Sequence, residues 1–307
     1  MALLRHLLLL ASFCCTIFTA QSTDPSGLFC NTASKNLNSQ TSTNILKLLT
    51  NLVPAASKAG YATAAYGGSG NKIYGLGQCR GDVSSKDCSS CIQEAAKEIR
   101  KRCPDRVDAR IWYEYCFLRY TDEEFFGEVD TGYGILYANV ANVTVPIRAR
   151  LLASLGPGLK ARDERTHRWP CIFLRVQALL ALPHLASSFN KKLGNLVDGI
   201  SKEAVVPENR GLGKGKTKLS DFLTLYALVQ CTRDLSPVNC AQCLAIAVGN
   251  NFPGFCNEKK GCRVLYSSCY VRYELYPFYF PLDPPGKSTG AGWEARNYRS
   301  TVVHKRS

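Results

Sequence analysis

Residues Tyr74–Cys79 read Tyr-Gly-Leu-Gly-Gln-Cys, and residues Tyr226–Cys231 read Tyr-Ala-Leu-Val-Gln-Cys. The cysteines that follow keep step. Cys79, Cys88, Cys91, Cys103 and Cys116 match Cys231, Cys240, Cys243, Cys256 and Cys269. The offset is 152 for the first three pairs and 153 for the last two. Five matched cysteines with matched flanks define an internal repeat, so the chain is read as one unit built twice.

Each copy has the same order of elements. Upstream, Ile45, Leu48, Leu49, Leu52 and Val53 fall on one helical face, and Phe189, Leu193, Leu196, Val197 and Ile200 do the same. A second helix is expected at the close cysteine pair, with Asp87 and Asn239 as candidate N-caps. Cys88, Cys91, Ile92, Ala95 and Ile99 then share a face, as do Cys240, Cys243, Leu244 and Ala247. Aromatic-rich alternating runs follow over Arg110–Tyr120 and Arg263–Tyr273. Such runs suit antiparallel strands with one covered face. Helices on a short antiparallel sheet give an α+β fold: two tandem disulfide-rich domains, each with two helices.

The compartment is read from the N-terminus. Arg5 and His6 precede an apolar run from Leu7 to Phe18, and small residues end at Ala20. This is the pattern of a secretory signal peptide over residues 1–20, which carries Cys14 and Cys15 away with it. No later segment reads as transmembrane; Cys171–Ala186 is short and broken by Arg175 and Pro183. The expected location is secreted and extracellular. Thirteen of the 15 cysteines then remain, an odd count.

The net charge is +14, concentrated in two segments. Residues 146–187 hold seven basic and two acidic groups, and the stretch after Gly286 holds five against one. The total does not point to nucleic acid; a basic surface favours anionic cell-wall polymers or membrane surfaces.

The spacing Cys79-x8-Cys88-x2-Cys91, repeated at Cys231, Cys240 and Cys243, resembles the plant cysteine-rich repeat secretory proteins. These carry the ginkbilobin-homologous, or salt-stress-response/antifungal, domain. The flanks Gln230–Ser236 and Arg272–Pro277 fit as well. The resemblance implies a small antiparallel sheet against two helices, with three disulfides per domain. It implies Cys30–Cys103, Cys79–Cys88 and Cys91–Cys116 in the first copy, and Cys231–Cys240 and Cys243–Cys269 in the second. The second copy has no evident counterpart of Cys30. Cys262 is the expected partner of Cys256, and Cys171 is the alternative stand-in for Cys30.

The domain bounds follow: 24–132 for the first domain, and 133–144 with 188–283 for the second. An atypical basic insert, 145–187, separates Asn142-Val-Thr144 from Phe189 and holds the odd Cys171. It reads as a retained intron, a gene-model error or a lineage-specific loop. The Gly-, Ser- and Arg-rich tail 284–307 reads as disordered.

The chemistry points to binding. Cys88-Ser-Ser-Cys91 would suggest redox or zinc chemistry in a reducing compartment, but in a secreted chain such pairs are structural disulfides first. The four histidines, His6, His167, His184 and His304, lie in the leader, the insert and the tail. Neither repeat holds one, which leaves Cys–His and Ser–His–Asp catalysis without a base. Asp122, Glu123 and Glu124 read as a solvated acidic patch. No enzyme, metal or cofactor is expected.

The resemblance also implies a mannose-type site: an asparagine after the first cysteine, an arginine six before the last and a glutamate five after it. Asn31 and Arg110 fit in the first repeat, where Thr121 stands at the glutamate position. Arg263 and Glu274 fit in the second, with no evident asparagine. Such groups suit sugar hydroxyls, which both donate and accept. The expected partner is an extracellular carbohydrate or a protein, in plant defence or stress signalling. The alternatives are a pure protein–protein module, with Tyr276, Phe278, Tyr279 and Phe280 as a candidate surface, and a secreted thiol-disulfide protein. Asn142-Val-Thr144 is a glycosylation sequon. Oligomeric state is not legible.

Overall fold

A computed structural model describes residues 24–33, 37–143, 188–281 and 298–304. The stretch read as a signal peptide, the insert with Cys171, and most of the tail lie outside these residues.

The first repeat opens with strand β1 (Gly27–Cys30) and helix α1 (Ser39–Ala59). Asn38 caps α1 by accepting from the Thr41 amide at 2.7 Å, and Gly60 ends it at φ 73°. Only glycine takes that left-handed turn without strain. Strands β2 (Tyr61–Tyr66) and β3 (Ile73–Cys79) form a hairpin, followed by α2 (Ser85–Arg102), β4 (Ala109–Trp112) and β5 (Cys116–Thr121). The strands make an antiparallel sheet in the order β1-β4-β5-β3-β2. Ile45, Leu48 and Leu52 of α1 and Ile92 and Ile99 of α2 are fully buried against it.

The chain then crosses to the second repeat with β6 (Tyr133–Asn139). A helix over residues 188–204, here α3, precedes a 3-10 turn (Pro207–Asn209), the hairpin β7 (Leu212–Ser220) and β8 (Leu223–Cys231), and α4 (Pro237–Asn251). Strands β9 (Gly261–Tyr266) and β10 (Cys269–Glu274) complete it. The second sheet runs β11-β6-β9-β10-β8-β7, so β6, which precedes the insert in sequence, lies in the sheet of the repeat after it.

Two expectations are corrected. The second helix of each repeat starts three residues early, capped by Ser84 and Ser236 rather than Asp87 and Asn239. Ser84 Oγ accepts from the Asp87 amide and donates to the Asp87 carboxylate, so Asp87 orients the capping hydroxyl rather than capping the helix itself. The tail is not wholly irregular: Tyr298–His304 forms β11, in register with all of β6. β6 would otherwise leave a row of unpaired amides at the sheet edge, and Thr301 and Val302 suit a strand.

Among the described residues, six disulfides staple the fold. The first repeat has Cys30–Cys103, Cys79–Cys88 and Cys91–Cys116; the second has Cys231–Cys240, Cys243–Cys269 and Cys256–Cys262. Cys88 and Cys91 each bond a different strand, so the dithiol pair a redox centre requires is absent from this arrangement. Among the described residues, no helix is long and apolar enough to cross a membrane, and no cluster of His, Cys, Asp or Glu could hold a metal ion.

Candidate functional site

Arg110 and Arg263, two of the residues singled out for sugar binding, fall where the two repeats meet, and the meeting is reciprocal. Gln78 Nε2 donates to the Cys231 carbonyl at 2.9 Å, and its oxygen accepts from the Arg233 amide at 2.8 Å. Gln230, its repeat mate, donates to the Cys79 carbonyl at 3.2 Å and accepts from the Gly81 amide at 3.1 Å. The Asp82 carboxylate accepts from the Phe280 amide at 2.6 Å; its mate Asp234 accepts from the Gly127 amide at 2.9 Å. Every partner is displaced by the repeat offset. The repeats are therefore related by an approximate twofold relation, and the glutamine of the Gln-Cys pair shared by both hexapeptides reads the backbone of the other repeat.

The arginines obey the same rule. Arg110, at the strand position of Arg263, donates to Ser267 Oγ at 2.6 Å; Arg263 donates to Glu114 at 2.7 Å. Ser267 and Glu114 are repeat mates. On the first side Arg110 and Arg119 both pair with Asp130, at 2.7 and 3.1 Å, and Arg110 stacks over Phe29. On the second, Glu114 gathers Arg80, Arg263 and Arg272, while Glu274 takes Arg272 at 2.9 Å and Arg263 at 3.6 Å. Between the two charged groups lies an apolar patch of Trp112, Tyr133, Ile135 and Leu265.

Electrostatics follow from this crowding. Partial burial raises the Glu114 pKa, but the guanidiniums of Arg272, Arg263 and Arg80 outweigh it and hold the carboxyl down at about 2. Burial and the neighbouring Arg110 bring Arg119 down to about 10, against the pull of Asp130. Burial pushes the Tyr61 hydroxyl, near this seam, up to about 12.

The candidate residues are thus partly brought together and partly closed off. Asn31 donates to Asp108 at 3.0 Å, and Asp108 lies 3.6 Å from Arg110, so these three converge. Asn31 stays partly open, but Arg110 is 8% exposed and committed across the seam. Glu274 is fully buried. The space among Gln78, Trp112, Glu114, Gln230 and Tyr270 is about 60 Å³, far below the ~300 Å³ at which small-ligand pockets begin. The aromatic cluster at the end of the second repeat packs inward: Phe278 lies under the Arg272 guanidinium beside Tyr226 and Leu228. Asn142 accepts from Lys259 Nζ at 2.9 Å and is partly exposed.

One residue was missed in the sequence. In register, Tyr137 lies opposite Arg263 as Phe29 lies opposite Arg110, which makes Asn139 the counterpart of Asn31. Asn139 accepts from the amide two residues on, as Asn31 does. Its preceding residue is Ala138 where the first repeat has Cys30, and the insert shifts it out of the repeat offset. The signal was present in Ala138-Asn139 once the insert is subtracted.

Comparison with known proteins agrees with this architecture. The family model for salt stress response/antifungal domains matches twice, over residues 29–123 and 182–276. Cysteine-rich repeat secretory protein 55 of Arabidopsis thaliana is 47% identical over 93% of both chains. An antimicrobial ginkbilobin-2-like protein of Castanea crenata is 33% identical over 83% of this chain and 89% of its own. The tandem DUF26 ectodomain of the Arabidopsis thaliana receptor-like protein PDLP8 superposes with a TM-score of 0.60 at 23% identity, covering 82% of this chain and 98% of that one. With two matched domains and these relatives, the chain belongs to the salt-stress-response/antifungal family of cysteine-rich repeat secretory proteins.

Proposed function

We propose that this is a secreted, non-catalytic recognition protein whose two repeats act as one rigid body, presented in the apoplast to a protein partner. The observation that carries it is the reciprocal seam. Arg110 and Arg263, two of the residues a sugar would need, reach across to Ser267 and Glu114 of the other repeat, and Glu274 is fully buried against Arg272 and Arg263. Recognition then falls to the outer surfaces. The names of the relatives, secretory and antimicrobial, support a role in defence or stress signalling.

A second reading keeps a mannose-type sugar on the first repeat, because Asn31 remains partly open beside Asp108. A mannose titration and a glycan array separate the two. The first reading expects no saturable binding by the wild type. Binding that is lost in Asn31→Ala while the melting temperature holds would replace it with the second.

A further inference from the structure

The second repeat has a cavity at the end of its long helix. In the first, α1 ends at Ala59, and Gly60 leads straight into β2. In the second, α3 ends at residue 204 and six residues, 205–210, precede Gly211. Gly60 and Gly211 are equivalent: each carbonyl accepts, at 2.9 Å, from the amide of its own repeat's first hexapeptide cysteine, Cys79 or Cys231. The longer connection, with its 3-10 turn, and the start of α4 line a cavity of about 280 Å³. That is near the lower end of the range for small-molecule sites, ~300 Å³.

The lining has a clear chemical character. Val205, Pro207, Leu235 and Pro237 supply apolar wall, and Arg210 and Arg233 supply charge. No carboxylate lines it. Elsewhere at the seam each arginine faces an acid: Arg80, Arg263 and Arg272 face Glu114, and Arg110 and Arg119 face Asp130. Arg233 has only the Ala59 carbonyl at 3.3 Å for its guanidinium, and its buried Nε is unpartnered among the described residues. Burial and the like charge of Arg210 both press its pKa down, as expected of a cation short of an anion.

We infer that this cavity between the α3–β7 connection and α4 binds a small monovalent carboxylate carrying a compact apolar group, with Arg210 and Arg233 on the carboxylate. Guanidinium pairs carboxylate through two parallel hydrogen bonds. The apolar wall disfavours a bare, strongly hydrated anion, and the absence of an acceptor wall disfavours a neutral sugar. This inference is independent of whether the outer surfaces meet a protein.

The test is calorimetric titration of the whole secreted protein with benzoate, benzyl alcohol and inorganic phosphate. Benzoate is expected to bind saturably with one site per chain. Benzyl alcohol, lacking the charge, is expected to bind at least about tenfold more weakly, the equivalent of one charge-assisted hydrogen bond. Arg210 is exposed, so Arg210→Ala leaves the fold intact and is expected to weaken benzoate about tenfold; Arg233→Lys, which keeps the charge but loses the fork, is expected to weaken it as well. No saturable benzoate binding overturns the inference, as does binding indifferent to both substitutions. Phosphate binding as tight as benzoate overturns the apolar group.

Discussion

The two repeats solve one packing problem with the glycines exchanged between strands. In the first, Ala62 and Ala64 of β2 face Gly77 and Gly75 of β3. In the second, the glycines sit on the other strand: Gly213 and Gly215 of β7 face Val229 and Ala227 of β8. Each cross-strand pair under the long helix holds one glycine. The helix approaches closely, and in each pair a glycine on one strand or the other leaves it room. A Cβ on Gly75 would fall 2.8 Å from Leu48 Cδ2, and one on Gly213 would collide with the Ile200 carbonyl oxygen.

The repeats differ more in their third staple. Cys30–Cys103 ties β1 to the end of α2 across 73 residues, whereas Cys256–Cys262 closes a separation of 6. Ala138 occupies the place of Cys30, and Cys262 stands opposite it on β9. The lost strand-to-helix tie is offset by pairing: β6 lies between β9 and β11, while β1 pairs only with β4.

The comparison is broken most forcefully by removing these staples. By loop-closure entropy the long bridge is worth roughly 4 kcal/mol and the short one roughly 2. Urea denaturation of Cys30→Ser/Cys103→Ser against Cys256→Ser/Cys262→Ser should show the first pair losing about twice as much. Equal losses would mean that native-state packing, not chain entropy, sets the value of each bridge.

Next in size are the glycines. Gly213→Ala pushes against backbone, which cannot rotate away, and should cost about 3 kcal/mol. Gly75→Ala meets the end of a leucine side chain that can turn aside, and should cost about 1 kcal/mol. Thermal melts of the two variants check the order. Similar shifts would show that α3 slides along its sheet as easily as Leu48 repacks.

Much of this fold was written in spacing. The shared Tyr-x-Leu-x-Gln-Cys and the heptad-like stripes at Ile45 and Phe189 announce repeat, helix and core, because burial imposes periodicity. The strand runs Arg110–Tyr120 and Arg263–Tyr273 were legible for the same reason, although each is two strands joined at a tight turn. The seam was not legible. Gln78 and Gln230 look like surface glutamines until the other repeat arrives, since their partners are backbone atoms some 150 residues away. Arg110 and Arg263 carry a sugar-site spacing in sequence, yet their partners, Asp130 and Glu114, come from segments whose position depends on the docking of two domains. β11 was hidden by its Gly- and Arg-rich surroundings.

The gentlest test concerns Glu114 and its repeat mate Ser267. Both receive an arginine from the opposite repeat, but only Glu114 titrates. Its carboxyl is held at about 2, below the unfolded value of about 4.3. Between those values the unfolded chain binds the proton and the folded chain does not, so folding stability rises with pH through that window. The stabilisation is complete above about pH 5 and lost as pH falls toward 2. Because 39% of the side chain meets solvent, screening trims the effect, and it should be smaller than either substitution above. Urea denaturation from pH 2 to 6 should show a slope in the wild type that Glu114→Gln flattens, with the two proteins most alike at the acid end. Ser267→Ala should keep the slope, because its side of the seam loses a hydrogen bond to Arg110 but no titrating charge. If the wild-type slope survived in Glu114→Gln, the acid sensitivity would belong to carboxylates outside the seam, and the two sides would be electrostatically alike.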